Sequence, residues 1–70
     1  MKDEKVLKEF YRLGGLISKY AHRWGENPSA RLENWVFDYN DLREEYPKIF
    51  AEYCKQRGFS LEHDAYDCMA

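Results

Sequence analysis

Near its end the chain gathers Glu62, His63, Asp64, Asp67 and Cys68, side chains of the kinds that hold zinc or another borderline metal. His63 and Asp67 lie four apart and share a face wherever that stretch is helical. Their spacing follows no recognised ligand pattern, and His22, the second histidine, lies far upstream. No metal and no cofactor is therefore expected. The sequence also holds no glycine-rich phosphate loop, no nucleophile motif and no carboxylate pair placed in an evident pocket. Seventy residues leave little room for a cleft as well as a core. The expectation is a protein that is not an enzyme.

Two other constellations suit binding rather than catalysis. Lys5, Lys8, Arg12, Lys19 and Arg23 fall on one line of a helix, about 125° from its apolar side by the 100° helical step. Such a stripe can track the phosphates of a nucleic acid. Its plainer role is to face the acids of the next segment, Glu33, Asp38, Asp41, Glu44 and Glu45, or to solvate the fold. The second constellation is aromatic. Phe37 falls on the far side of its helix from the apolar seam, among Glu33, Asp41 and Glu44, while Tyr11 and Leu16 stray from the seam of the first helix. Aromatic anchors with a polar rim dominate many protein interfaces, so Tyr11, Leu16, Phe37, Asp41 and Glu44 form the expected partner-binding patch.

The elements that must position these groups are written in apolar spacing. Val6, Phe10, Leu13, Ile17, Tyr20 and Trp24 step four, three, four, three, four, which predicts a helix over about 3–24. Asp3 and Glu4 suit its start, and His22 and Arg23 its end. Gly14-Gly15 interrupts it at a cost of about 1 kcal/mol per glycine, yet the apolar phase continues across the pair. One unbroken helix is expected, with Gly14 available for close approach by a crossing helix. Gly25-Glu26-Asn27-Pro28-Ser29 reads as a turn, with Asn27 or Ser29 as the following cap.

A second seam, Leu32, Trp35, Tyr39, Leu42, Tyr46, Ile49 and Tyr53, is widened by Val36 and Phe50. Pro47 divides it. The preferred reading is a helix over about 28–45 and another over about 47–57, opened by Pro47 and closed by Gly58. Residues 60–70 are expected to form a short helical turn or a frayed tail. The fold class is thus all-α: a helical hairpin plus a third helix, a single three-helix domain. A lone hairpin would leave its seams wet, so Phe10, Ile17, Trp24, Trp35, Tyr39, Leu42, Tyr46, Ile49 and Tyr53 are expected in the core or in a dimer seam. Two hairpins would then pair into a dimeric helical bundle.

Composition narrows the function classes. A net charge of −2 is too small for a DNA mimic or a general DNA-coating protein. The charge is uneven: residues 1–24 carry six Lys/Arg against three Asp/Glu, and residues 25–46 carry two against six. Twelve aromatic residues in seventy is a high share, and tyrosines suit an interface or a core edge, where the hydroxyl stays wet. Cys54 beside the seam reads as a buried thiol in a reducing compartment. The charged opening Met1–Lys5 leads into no signal-like apolar run, and no stretch reaches membrane-spanning length. The resulting expectation is a small cytoplasmic, homodimeric helical protein that binds and modulates a protein partner and does not engage a membrane. The alternative is a small nucleic-acid-binding regulator using the basic stripe.

Overall fold

The computed structural model describes residues 2–24 and 30–69, without the side chains of Arg23 and Trp24. The expected turn over Gly25–Ser29, its caps, and the side-chain roles given to Trp24 and Arg23 lie outside the described residues. Among those described, the chain forms three α-helices, α1 (Lys2–Trp24), α2 (Ala30–Glu45) and α3 (Pro47–Arg57), and a short 3₁₀ turn, Asp67–Met69, with no strand.

Helix α1 runs through Gly14-Gly15 without a break. The two glycines differ in what surrounds them. A Cβ added at Gly14 would lie 2.7 Å from the Tyr53 hydroxyl and 3.5 Å from Tyr39 Cε2, whereas one at Gly15 would meet nothing within 4 Å. Gly14 therefore admits the Tyr53 ring against the α1 backbone, and Gly15 has no packing reason to be small.

Tyr46 alone separates α2 from α3. Its backbone (φ −125°, ψ 64°) has left the helical region and Pro47 opens α3, as the clash of a proline ring with the preceding residue requires. The helical hydrogen bonding nearly spans the gap: Tyr46 N–H donates to Leu42 O at 2.8 Å and Phe50 N–H to Tyr46 O at 2.9 Å. At the other end of α3, Gly58 takes the left-handed conformation (φ 75°) that side chains with a Cβ resist. Phe59 N–H then donates back to Cys54 O at 2.8 Å, and the chain turns across the bundle.

The core draws Val6, Phe10, Leu13 and Ile17 from α1, Leu32, Val36 and Tyr39 from α2, Phe50, Tyr53 and Cys54 from α3, and Ala65 from the tail. Phe10 is its hub. Its ring lies 5.5 Å from Tyr53 in a near-parallel stack and meets Tyr39 edge-on at 5.7 Å, geometries that aromatic quadrupoles favour. Val36 and Phe50 are buried, while Trp35, Leu42, Tyr46 and Ile49 are half-buried around them. Trp35 packs edge-on against Tyr20 at 5.1 Å.

Of the two alternatives for residues 60–70, a short helical turn or a frayed tail, the 3₁₀ turn Asp67–Met69 answers to the first, and the tail packs on α1 with His63 and Ala65 buried. Helix α3 and the tail cover part of what a bare hairpin would expose, and Trp35, Leu42, Tyr46 and Ile49 stay half-buried. One expectation needs correction: Tyr39 and Tyr53 are not at an edge but among the most completely buried side chains. Burial raises the pKa of both phenols. The Tyr39 hydroxyl is enclosed without a hydrogen-bond partner, facing the Tyr53 hydroxyl and the Cys68 thiol.

Candidate functional site

Phe37 follows Val36 in α2, so the 100° step that buries Val36 turns Phe37 away from the core. It is 61% exposed. Opposite it the tail places Tyr66, 60% exposed, and Met69. Between them opens a surface cleft of about 500 Å³, floored by Leu32, Val36 and Ala21 and rimmed by Glu33. A cleft of this size exceeds the little room expected for one on so short a chain. It exists because the tail, not a helix, forms one wall.

That wall is held by polar anchors on α2 and by its own turns. Asn40 Oδ1 accepts from Ala65 N–H at 3.1 Å. The Arg43 guanidinium donates to His63 O at 2.8 Å and to Leu61 O at 3.4 Å, and lies 5.3 Å over the Phe50 ring. Asp64 Oδ1 accepts from Tyr66 and Asp67 N–H, while Asp67 Oδ2 accepts from Asp64 N–H at 3.0 Å. These are the local side-chain-to-backbone bonds that let Asp organise turns. Beneath them His63 stacks on Phe59, ring centroids 4.0 Å apart.

The residues expected to bind a partner are not all brought together. Phe37, Asp41 and Glu44 are exposed along one flank of α2. Tyr11 belongs to the α1–α3 contact: its hydroxyl donates to Gln56 Oε1 at 2.7 Å, its ring meets Tyr53 edge-on at 4.9 Å, and Arg57 lies over it at 5.8 Å. Leu16 is half-buried, about 140° around α1 from Tyr11. The single patch joining Tyr11, Leu16 and Phe37 thus divides into separate surfaces. The missed contributors are Tyr66 and Met69; Gly58 signals the end of α3 but not where the tail beyond it docks.

Of the basic stripe, Lys5, Lys8, Arg12 and Lys19 are exposed. Arg12 pairs with Glu9 on its own helix, and that guanidinium holds the Glu9 carboxyl below the usual range. Lys5, Lys8 and Lys19 make no ion pair among the described residues. Lys5, Lys8, Arg12 and Lys19 therefore make no ion pair with the described acids of α2, although Asp38 adds to the charge felt at Arg12.

The histidine cluster takes a definite shape. His63 Nε2 lies 3.3 Å from Cys68 Sγ, and His63 Nδ1 lies 3.9 Å from Asp67 Oδ2. The order Cys–His–Asp resembles that of a thiol nucleophile with its base. Burial lowers the His63 pKa, outweighing the opposing pull of Asp67 and Asp64, and burial raises that of Cys68. Both shifts favour a neutral thiol beside a neutral imidazole over a preformed thiolate–imidazolium pair. No group of three or more potential metal ligands occurs among the described residues, and none of their helices is long and apolar enough to cross a membrane. The chain matches no protein-family model, no curated protein and no solved structure.

Proposed function

We propose that this chain is a small, non-enzymatic protein-interaction module that binds a partner protein through the cleft between α2 and the tail and so modulates that partner's activity or assembly. One observation carries the reading. Two large aromatic rings, Phe37 and Tyr66, stand about three-fifths exposed on either side of one apolar cleft. Isolated exposed rings need no explanation, but two lining one cleft with a charged rim match the anatomy of an interface centre. The partner is read as another protein; pairing of two copies through the half-buried Trp35 and Leu42 would use a face of α2 about 140–160° from Phe37 and is compatible with it.

Affinity capture from lysate of the source cell, using wild-type and Phe37→Ala baits, tests this. Wild type should retain a partner that Phe37→Ala loses, with the melting temperatures of the two within a few degrees. Equal capture by both baits refutes the reading.

The nucleic-acid alternative keeps one observation in its favour: Lys5, Lys8 and Lys19 are exposed along one face of α1 and make no ion pair among the described residues. It requires binding that weakens steeply with salt and is lost when Lys8, Arg12 and Lys19 become Gln. No retention on DNA or RNA at low salt removes it.

A further inference from the structure

We infer that the occupant of the Phe37–Tyr66 cleft is a cationic amphipathic helix, with a bulky apolar side chain seated between the two rings and Lys or Arg one turn to either side. This rests on the reading of the cleft as a docking site and adds the chemistry of what docks. The cleft floor is aliphatic, and its volume falls within the roughly 300–1,000 Å³ of recognition pockets. It asks for a hydrophobic anchor. Among the described residues of α2, the charges flanking that anchor all have one sign. Glu33 precedes Phe37 by four residues, Asp41 follows by four and Glu44 by seven, all exposed on the same flank. At 1.5 Å per residue these carboxylates stand about 6 Å before and about 6 and 10 Å after the anchor point. A helix lying along α2 with basic residues at the same intervals meets each of them, the helix-in-groove mode of recognition.

Among the described residues, no cation pairs with these acids. On α2, Arg31 lies about 160° around the helix from Glu33, and Arg43 is committed to the tail carbonyls and to the Phe50 ring. Beyond Arg57 the tail carries Glu62, Asp64 and Asp67 and no Lys or Arg. An acidic peptide, a nucleic acid or an anionic membrane would therefore be repelled. A second copy fits poorly as well. Its exposed cations lie on α1, on α2 (Arg31) and on α3 (Lys48, Lys55 and Arg57), while its large exposed apolar side chains outside the cleft are Tyr11, held against α3, and Leu61, which is not on a helix, so no described helix joins these charges to a free apolar anchor.

Three synthetic helical peptides test the inference against the isotope-labelled full chain: one with Leu anchors flanked by Lys, one with Glu replacing each Lys, and one with Ala replacing each Leu. Affinity is read by fluorescence anisotropy and the site by amide shift perturbation. The Lys–Leu peptide should bind about tenfold or more tightly than either control, shift amides of residues 33–37 and 66–69, and lose its binding to Phe37→Ala. The double variant Glu33→Lys/Asp41→Lys should reverse the preference toward the Glu peptide, and being on an exposed flank it needs no refolding of the core. Equal binding of the Lys and Glu peptides, both lost in Phe37→Ala, overturns the charge inference and leaves the cleft a docking site. Absence of binding by all three overturns the inference too, while lysate capture decides the cleft independently. Binding of any peptide unaffected by Phe37→Ala overturns both. Concentration-dependent dimerisation abolished by Phe37→Ala, seen by sedimentation, assigns the cleft to a second copy instead.

Discussion

Replacing the two adjacent glycines of α1 by alanine should move stability in opposite directions. In a helix interior the change from Gly to Ala contributes about 0.8–1 kcal/mol. At Gly15 nothing lies within 4 Å of the new methyl, so Gly15→Ala should gain that amount, a rise in Tm of about 4–8 °C for a chain of this size. At Gly14 the methyl would lie 2.7 Å from the Tyr53 hydroxyl. Tyr53 cannot swing aside: it is 1% exposed and wedged among Phe10, Tyr11, Tyr39 and Phe59. Overpacking of this kind costs about 1–3 kcal/mol, which cancels or exceeds the gain, so Gly14→Ala should range from neutral to about 2 kcal/mol destabilised. Removing the offending atom should reverse the sign. In Gly14→Ala/Tyr53→Phe the nearest neighbours become Tyr39 Cε2 at 3.5 Å and Tyr53 Cζ at 3.8 Å, both ordinary contacts. Urea unfolding of wild type, both single variants and the double variant, followed by circular dichroism, gives the coupling energy, expected at about 1–3 kcal/mol. A coupling below about 0.5 kcal/mol is additive behaviour, and it would mean that the Tyr53 hydroxyl does not rest on Gly14. A Gly14→Ala variant as stabilised as Gly15→Ala would say the same.

Tyr39→Phe removes a buried hydroxyl that has no partner; since such a group costs about 1–3 kcal/mol, the variant should be at least as stable as wild type in the same urea titration, and a clear loss would reveal a hydrogen bond there. For His63, burial depresses the folded pKa below its usual value, so the unfolded chain binds the proton more readily. The stability His63 contributes should be present above about pH 6.5 and decline as pH falls from there toward the depressed folded pKa; His63→Gln should lack that part of the Tm–pH slope, and an unchanged slope would place the titration elsewhere. Arg43→Ala leaves two tail carbonyls without their donor and should cost about 1.5–3 kcal/mol, the range for hydrogen bonds to charged groups. It should also speed amide exchange in residues 61–66 more than in α1.

How much was legible in the sequence differs by segment. The regular step of three and four through Val6, Phe10, Leu13 and Ile17 carries α1 because a helix with one core-facing stripe leaves that periodicity behind. Pro47 marks the boundary between α2 and α3 because its ring acts locally. The second seam is shifted in the structure toward Val36 and Phe50, since α2 and α3 each contact more than one neighbour and a wheel drawn for one partner centres the stripe too narrowly. The tail was illegible for a different reason. Phe59, Leu61, Ala65 and Tyr66 follow no period; their placement depends on hydrogen bonds from Asn40, Arg43 and Asp64 to backbone groups, which leave no hydrophobic pattern. That is why Phe37 could be recognised as outward-facing from its register alone, while Tyr66 and Met69 could not be set beside it.

Because one side of the cleft is borrowed from residues 66–69, occupancy and local order are thermodynamically linked. A ligand that touches both Phe37 and Tyr66 binds only molecules whose last segment is docked, so its free energy is added to the closing equilibrium of that segment. Saturation should slow deuterium uptake at residues 63–69 well beyond any change at Val6–Ile17, and loosening the anchor at Arg43 should weaken affinity without altering a single atom of the α2 flank.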